Sequence, residues 1–182
     1  LQTSTIRFGP LVTPVTFRAP VHVGRMAAQI DLLSGGRFTL GLGAGWNEAE
    51  HTAYGIPFPP VKERFDRLEN AITLIKAMWG EAPSSVDGVF YGLVEANPKP
   101  KPAAGRPPIL IGGSGERRTL RIAAEHAVEW NMGSAPPKVY AHKAEVLARH
   151  CEDFGRDPAT IRRSIMTFGA VGHDLKSVRL AM

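Results

Sequence analysis

The chain has 182 residues, 43% of them hydrophobic and 21% charged, with a formal net charge of +5. This composition is typical of one ordinary globular domain. No stretch approaches the roughly 18 consecutive apolar residues that a membrane helix needs, and the N-terminus lacks the basic-then-apolar pattern of a signal peptide. The basic residues are dispersed and accompany no nucleic-acid motif. We therefore expect a cytoplasmic protein that binds neither membranes nor nucleic acid.

The first 79 residues predict two strands and two helices in alternation. A short apolar run over residues 6–12, ended by Thr13-Pro14, predicts a buried strand. Residues 20–33 place apolar side chains at helical spacing, with a proline in the first turn and two glycines past the end, and so predict a helix. Residues 37–43 predict a second strand. Residues 62–79, which are apolar on one face and charged in between, predict a long second helix.

The second half of the chain resumes this alternation after an interruption. Residues 80–107 carry repeated Gly and Pro and predict a long loop, which in a compact domain is usually functional. After this loop, the pattern predicts strands at residues 108–111, 127–132 and 164–168 and helices at residues 116–126 and 136–154. A last helix is predicted after Asp174, near the C-terminus.

Strands that alternate with helices imply a parallel α/β sheet, because parallel pairing needs a crossover long enough to hold a helix. A doubly wound fold is disfavoured, since its glycine fingerprint is absent: residues 41–45 have the wrong spacing, and no acidic residue ends the next strand. The (β/α)8 TIM-barrel type spreads its chemistry over many strand ends, as this chain does. A full barrel takes about 250 residues. We therefore expect residues 1–182 to form a single partial barrel of about five strands, with further units before residue 1.

One long string and several shorter ones point to a family. Residues 27–46 (AAQIDLLSGGRFTLGLGAGW) resemble the central signature of the luciferase-like monooxygenase superfamily. The deazaflavin (coenzyme F420) branch is a better match than the FMN branch, through Val12-Thr13-Pro14 and Gly45-Trp46. The resemblance implies a luciferase-like TIM barrel of which this chain holds strands three to seven. The shorter matches are Tyr54-Gly55, the helix with Arg64 and Glu69, residues 111–113, and the segment from Ala123-Ala124 to Trp130-Asn131.

The resemblance implies a cofactor that lies across the C-terminal mouth of the barrel, with its reactive ring near the centre. It places a non-proline cis peptide between Pro10 and Leu11 behind that ring, although a plain strand end and turn would explain the same residues. Glycines at the next strand end allow the backbone to approach a flat ring closely. The implied cofactor-binding residues are Pro10, Leu11, Thr13, Gly43, Ala44, Gly45, Gly112, Gly113, Ser114 and Gly115.

The glycine turn at residues 112–115 lies between a predicted strand and a predicted helix. Exposed N–H groups and the helix dipole favour a phosphate at such a place. Ser114 can donate its hydroxyl group, and Arg117 or Arg118 can add positive charge. The same turn also serves ordinary strand-to-helix geometry, so this interpretation stays open.

The long predicted helix carries three basic residues, Lys62, Arg64 and Arg67. They would either add cations for the anionic tail of a deazaflavin or form a solvated basic face. Arg64 and Glu69 are interpreted as mainly structural.

Candidates for catalysis are few. Trp46 and Asn47 follow the second strand and would face the substrate, and His51 is the one histidine that we single out for acid–base work. In sugar-phosphate dehydrogenases of the family an acidic residue acts as proton donor where Trp46 stands, which counts against that activity here. The histidines and Cys151 lack metal-ligand spacing, so no metal is predicted.

These expectations combine into three functional hypotheses. The leading one is a coenzyme F420-dependent oxidoreductase that transfers hydride to or from a small organic substrate, with residues 80–105 as a lid. The alternatives are an FMN-dependent luciferase-like monooxygenase and a non-catalytic flavin-binding barrel. An open sheet has two unpaired edges that favour association, so we also expect a homo-oligomer.

Overall fold

The computed structural model describes residues 2–103, 105–169, 173, 174 and 179. Strands and helices alternate along this part of the chain, with a 3-10 turn at Pro158–Thr160. The strands are β1 (Thr13–Pro14), β2 (Leu40–Gly43), β3 (Ser84–Val86), β4 (Leu93–Ala96), β5 (Ile109–Gly112), β6 (Glu129–Gly133) and β7 (Arg162–Met166). The helices are α1 (Pro20–Ser34), α2 (Glu48–Ala53), α3 (Val61–Met78), α4 (Thr119–His126) and α5 (Pro137–Asp153).

Five strands form one parallel sheet in the order β1-β2-β5-β6-β7. The register places Leu42 beside Ile111, and Gly112 beside Asn131. Helices α1, α3, α4 and α5 lie in the crossovers between neighbouring strands. Because all five strands run the same way, their carboxyl ends meet at one edge of the sheet. The predicted α/β fold with a parallel sheet of about five strands is confirmed.

The hydrophobic core lies between one face of this sheet and the helices. α3 buries Leu68, Ile72 and Ile75, each 0% exposed, at the i, i+4, i+7 spacing of an amphipathic helix. Trp130 of β6 stacks on Tyr140 of α5 with the ring centroids 5.7 Å apart. These contacts fix the helices on the sheet and so hold the strand ends in place.

The strand predicted at residues 6–12 is mostly not formed. Phe8 makes an isolated parallel bridge with Phe38, and β1 itself is only two residues long. Pro10 has no N–H group, so it cannot continue a ladder of hydrogen bonds along β2. The chain still runs close to β2 there, because a Cβ on Gly41 would lie 2.0 Å from the Pro10 carbonyl oxygen.

The segment predicted as a long loop, residues 80–107, contains the antiparallel pair β3–β4. The backbone N–H of Tyr91 donates to Asn70 Oδ1 at 3.0 Å, and Arg67 Nη1 donates to the Tyr91 hydroxyl at 3.1 Å. The Arg67 guanidinium lies 4.7 Å from the centroid of the Phe90 ring. The β3–β4 pair is therefore fastened to α3.

Two helix starts near the sheet edge differ from the predictions. α2 was not predicted, and it begins after Asn47, whose Oδ1 accepts a hydrogen bond from Glu50 N at 3.2 Å. α4 begins at Thr119 instead of residue 116, because residues 116–118 form a turn. The helix predicted after Asp174 falls largely outside the described residues.

Burial sets the character of the single cysteine. Cys151 is free and 0% exposed, and burial raises the pKa of its thiol.

Among the described residues no group of three or more His, Cys, Asp or Glu converges as metal ligands would. In the same part of the chain, no helix has both the length and the apolar content that crossing a bilayer requires.

Candidate active site at the carboxyl edge of the sheet

A cleft of about 700 Å³ opens at the carboxyl edge of the five-stranded sheet. All five strands contribute to it, and the first turns of α3 close one side. It is lined by Pro14, Gly43, Gly112, Asn131 and Met166 from successive strands, and by Val61, Arg64 and Phe65 from α3. The strand ends that the sequence analysis singles out therefore meet at one place.

Most of the predicted cofactor-binding residues line this cleft. Thr13 does not, Ser114 is exposed at the tip of its turn, and Pro10 lines a separate hollow. The non-proline cis peptide lies between Leu11 and Val12, one residue later than the predicted Pro10–Leu11 bond. The predicted residues that do line the cleft are Leu11, Gly43, Ala44, Gly45, Gly112, Gly113 and Gly115.

Val12 forms an apolar floor in the cleft. Its side chain occupies the space that two glycines leave. A Cβ on Gly43 would lie 2.8 Å from Val12 Cγ2, and a Cβ on Gly112 would lie 2.9 Å from Val12 Cγ1. Carbon atoms of a packed interior do not approach so closely, so both glycines are needed while Val12 is present. From the sequence, Gly43 was assigned to a close approach of backbone and ring and Gly112 to a phosphate turn, but the direct partner of both is Val12.

Arg64 fixes the glycine loop at the end of β2. Gly45 has a positive φ of 82°, which suits glycine, and its carbonyl oxygen accepts a hydrogen bond from Arg64 Nη1. The Arg64 guanidinium lies over the Phe58 ring, 4.0 Å from its centroid, where the two attract each other. Arg64 Nε is buried and has no hydrogen-bond partner among the described residues. Arg64 is thus a structural part of the cleft wall, without an ion pair to Glu69.

The glycine turn after β5 is held by β6. Gly113 N donates to the Asn131 carbonyl oxygen at 2.9 Å, and Trp130 Nε1 donates to the Gly113 carbonyl oxygen at 2.7 Å. The Gly113 N–H group is therefore already bonded and cannot bind an anion. Because α4 begins only at Thr119, the turn does not lead directly into a helix N-terminus, as the predicted phosphate site requires.

Most basic residues near the cleft are paired with carboxylates. Arg118 binds Asp66 at 2.6 Å and Glu69 at 2.5 Å, and Lys62 binds Asp66 at 2.8 Å. Hydrogen bonds from Lys62 and from Arg118 hold the pKa of Asp66 below its ordinary value. Arg67 contacts the β3–β4 pair. These contacts favour the interpretation of a structural, partly solvated basic face over that of an anion site.

His51 and Asn47 have structural positions. His51 is 1% exposed, with Nε2 2.7 Å from Thr16 Oγ1 and Nδ1 2.6 Å from the Asn47 carbonyl oxygen. Its ring packs against Phe17 and Phe58, with centroid distances of 4.9 Å and 4.7 Å. Neither His51 nor Asn47 lines the cleft, so the position facing the substrate that was expected of Asn47 is not found. Both ring nitrogens of His51, which was singled out for acid–base work, are engaged.

Trp46 and Glu50 stand at the open side of the cleft. Both line it, and Trp46 is 85% exposed, so its ring is accessible to a ligand. Glu50 was not predicted as a site residue from the sequence. The pattern of Asn47 followed three residues later by Glu50 is a capping-box-like signal, which predicts a helix start here and places Glu50 in the first turn. Among the described residues that line the cleft, Glu50 is the only carboxylate.

The chain belongs to the luciferase-like monooxygenase family, whose model matches residues 1–181. It is 32% identical over 181 residues to the F420-dependent hydroxymycolic acid dehydrogenase of Mycobacterium tuberculosis. That match covers 99% of this chain and 49% of the dehydrogenase, so the chain spans about half the length of this relative. The family resemblance that residues 27–46 predict is confirmed.

Solved structures show the same fold. The coenzyme F420-dependent tetrahydromethanopterin reductase of Methanopyrus kandleri superposes with a TM-score of 0.87 at 23% identity, over 97% of this chain and 54% of the reductase. The oxygenating constituent of 3,6-diketocamphane monooxygenase of Pseudomonas putida, in complex with FMN, has a TM-score of 0.75 at 20% identity, over 93% of this chain and 50% of the monooxygenase. The predicted luciferase-like TIM-barrel type, present as a partial barrel, is confirmed.

Proposed function

We propose that the protein is an oxidoreductase that transfers hydride between coenzyme F420, a deazaflavin, and a small organic substrate. The observation that carries the proposal is the cleft in which five parallel strands end around a floor of Val12 and glycines. The relative from Mycobacterium tuberculosis supports F420, because its name states that dependence and the similarity extends over 99% of this chain.

A three-ring cofactor fits the residues of the cleft. The volume of about 700 Å³ lies within the roughly 300–1,000 Å³ of small-molecule sites. Val12 offers an apolar surface to one face of a flat ring, and the buried Asn131 offers a polar group beside it. When bound, coenzyme F420 supplies a carbon centre that accepts or releases hydride.

The protein's own contribution is orientation and proton handling. Trp46 lines the cleft and is 85% exposed, and we assign its ring to pack against a bound substrate and so reduce the access of water. Glu50 is the group that we assign to hold the proton accompanying hydride transfer at a substrate hydroxyl or carbonyl group. The role of residues 80–105 as a lid stays a prediction, and none of their described members lines the cleft.

An FMN-dependent monooxygenase is the second candidate. The diketocamphane monooxygenase structure, which has a similar fold, holds FMN, and an apolar floor of this kind suits either ring system. The phosphate of FMN and the anionic tail of coenzyme F420 both need cations, and Arg118 beside the glycine turn is already paired with two carboxylates, so the charges near the turn favour neither cofactor. The third candidate, a non-catalytic flavin-binding barrel, would bind a ring without turnover.

A titration of the purified protein with coenzyme F420 and with FMN, followed by ligand fluorescence, tests the proposal. We expect F420 to bind at least about tenfold more tightly than FMN, a difference of about 1.4 kcal/mol. Tighter binding of FMN would favour the monooxygenase, and binding of neither would overturn both candidates.

The substitution Glu50→Gln tests whether Glu50 holds the proton that accompanies hydride transfer. Gln replaces Glu in a capping box, so the fold and the affinity for F420 should stay unchanged. Turnover of F420 with a panel of alcohols should fall about 100-fold or more. Glu48→Gln is the matched control, because Glu48 lies in the same turn but does not line the cleft. Unchanged turnover in the Glu50 variant would remove Glu50 from the mechanism.

We further propose that the protein acts in the cytoplasm on a small molecule and as a homo-oligomer. An apolar stripe on α1 supports self-association: Met26, Ile30 and Leu33 are 41%, 36% and 76% exposed and recur at i, i+4, i+7 spacing. Light scattering would show a mass of at least twice that of one chain, and Leu33→Lys should lower it.

A further inference from the structure

A line of polar side chains runs from Arg162 to Asn131 on one face of the sheet. This face is opposite to the one on which Trp130 packs against α5. Glu129 Oε2 accepts a hydrogen bond from Arg162 Nε at 2.7 Å, and Glu129 Oε1 accepts one from the Ser164 hydroxyl at 2.7 Å. Asn131 Nδ2 in turn donates to Ser164 Oγ at 2.9 Å. The sheet register explains the line, because Glu129 is paired with Arg162, and Asn131 with Ser164.

The order of donors and acceptors in this line fixes the orientation of the Asn131 amide. The Glu129 carboxylate, paired with Arg162 at 2.5 Å, can only accept hydrogen bonds. The Ser164 hydroxyl must therefore give its proton to Glu129 and accept one from its other neighbour. That neighbour must present its amide nitrogen, so the carbonyl oxygen Oδ1 of Asn131 remains as an acceptor for another donor.

Asn131 brings this acceptor to the cleft. Asn131 is 7% exposed and belongs to the cleft lining, and its neighbour across the sheet is Gly112, which has no side chain to cover it. Among the described residues the one buried side-chain atom without a hydrogen-bond partner is Arg64 Nε, so Asn131 Oδ1, which accepts no hydrogen bond from them, is open to the cleft and available to a ligand donor. The cleft floor thus changes from apolar at Val12 to hydrogen-bonding at Asn131.

We propose that Asn131 Oδ1 accepts a hydrogen bond from the ring N–H of an oxidised flavin or deazaflavin, and that Glu129, acting through Ser164, is the positioning residue for this contact. The inference rests on the proposed function, because it requires such a ring in the cleft. The pyrimidine-dione edge of the oxidised ring carries one ring N–H, N3–H, between two carbonyl groups. An acceptor fixed in one orientation matches that edge.

The test is a binding titration with coenzyme F420 or FMN, whichever the protein binds more tightly, and with the N3-methyl derivative of the same ligand. In the unchanged protein, methylation should weaken binding about 3- to 10-fold, the value of one hydrogen bond. In Asn131→Ala the unmethylated ligand should bind about 3- to 10-fold more weakly, and methylation should make no further difference. A merely structural role of Asn131 would not remove the sensitivity to methylation.

Variants at residue 164 test the positioning. Ser164→Ala leaves Asn131 in place but frees its amide to rotate, so binding should weaken about 3-fold, while Ser164→Thr keeps the hydroxyl and should restore affinity. Thr167→Ala is the control, because it removes an exposed hydroxyl just beyond β7. Melting temperatures verify that the variants are folded.

The outcomes are distinct. Equal sensitivity to methylation in the unchanged protein and in Asn131→Ala would overturn the contact, and unchanged affinity in Ser164→Ala would overturn the positioning role. If neither F420 nor FMN binds to the unchanged protein, the proposed function itself fails and this inference fails with it.

Discussion

The β1–β2 side and the β6–β7 side of the cleft are held by different interactions, close steric packing on the first and hydrogen bonds on the second. On the first side, Val12 is packed against glycines whose Cβ positions are already occupied by other atoms. On the second side, Glu129, Ser164 and Asn131 form a chain of hydrogen bonds, and a Cβ on Gly133 would meet nothing within 4 Å. The shape of the cleft is therefore fixed by steric exclusion on the β1–β2 side and by hydrogen bonds on the β6–β7 side.

Because of this difference, we expect the two sides to contribute differently to the binding of a flat ring. Steric exclusion makes a stiff apolar surface that does not distinguish one end of a ring from the other. Hydrogen bonds do distinguish the ends, because donors and acceptors must match. Substitutions on the β1–β2 side should therefore act first on stability, and those on the β6–β7 side should act first on ligand orientation.

The largest expected effect comes from Gly41→Ala. The new Cβ would lie 2.0 Å from the Pro10 carbonyl oxygen, and backbone must move to relieve the contact. We expect a loss of about 3 kcal/mol or more in the free energy of unfolding, measured with urea. Gly133→Ala on the other side is the matched control and should change stability by less than about 1 kcal/mol. Similar losses in both variants would show that steric exclusion does not distinguish the β1–β2 side from the β6–β7 side.

Gly112→Ala should cost less, about 1–3 kcal/mol, because its Cβ would meet the methyl groups of Val12 at 2.9 Å and 3.0 Å. Val12→Ala removes those methyl groups, so the double variant should recover part of the loss. A double-mutant cycle in urea measures this coupling. Strictly additive effects would show that Val12 and Gly112 do not compete for the same space.

Arg64→Met should reduce the free energy of unfolding by about 1–2 kcal/mol, because it removes the hydrogen bond to the Gly45 carbonyl oxygen and the contact with Phe58. Lys62→Met on the same helix is the control: its side chain is 84% exposed, and exposed ion pairs contribute about 0–1 kcal/mol. Thermal melts of both variants measure the two losses of stability. A larger loss for Lys62→Met than for Arg64→Met would contradict the structural role of Arg64.

A pH scan should give the smallest effect, in a region outside the cleft. His126 is 17% exposed with Nδ1 3.2 Å from Lys76 Nζ, and burial together with the Lys76 charge lowers the pKa of His126. The unfolded chain then binds a proton at higher pH than the folded chain does, so stability falls as the pH drops below about 6.5.

His126→Gln should flatten the decline in melting temperature between about pH 7 and about pH 5.5. His22→Gln, which should keep the slope, is the control substitution, because His22 is exposed and forms no ion pair within the described part of the chain. An unchanged slope in the His126 variant would show that another group causes the decline.

The sequence predicts the parallel sheet well because burial leaves a strong local signal. Residues such as Leu68, Ile72 and Ile75 recur on one face of α3, and glycines mark the ends of β2 and β5. The family resemblance then indicates which edge of the sheet carries the site. These signals lie in the spacing of neighbouring residues and need no knowledge of distant contacts.

Other features depend on contacts between distant residues and were missed or misplaced. Nothing near His51 in the sequence shows that Thr16 and Phe17 bury it. The β3–β4 pair was predicted as a loop, because its contacts with α3, such as the hydrogen bond between Tyr91 and Asn70, join residues 21 positions apart and leave no local signal in the sequence. The short α2 helix is different, since its capping pattern was present and overlooked.

Amide chemical shifts recorded during a titration with coenzyme F420 test most directly whether the strand ends form one ring-binding cleft. We expect the largest shifts at residues 43–46, 112–115 and 131–133, with the β3–β4 pair nearly unchanged. Shifts concentrated on the β3–β4 pair or on the outer face of α1, with the strand ends unaffected, would contradict this expectation.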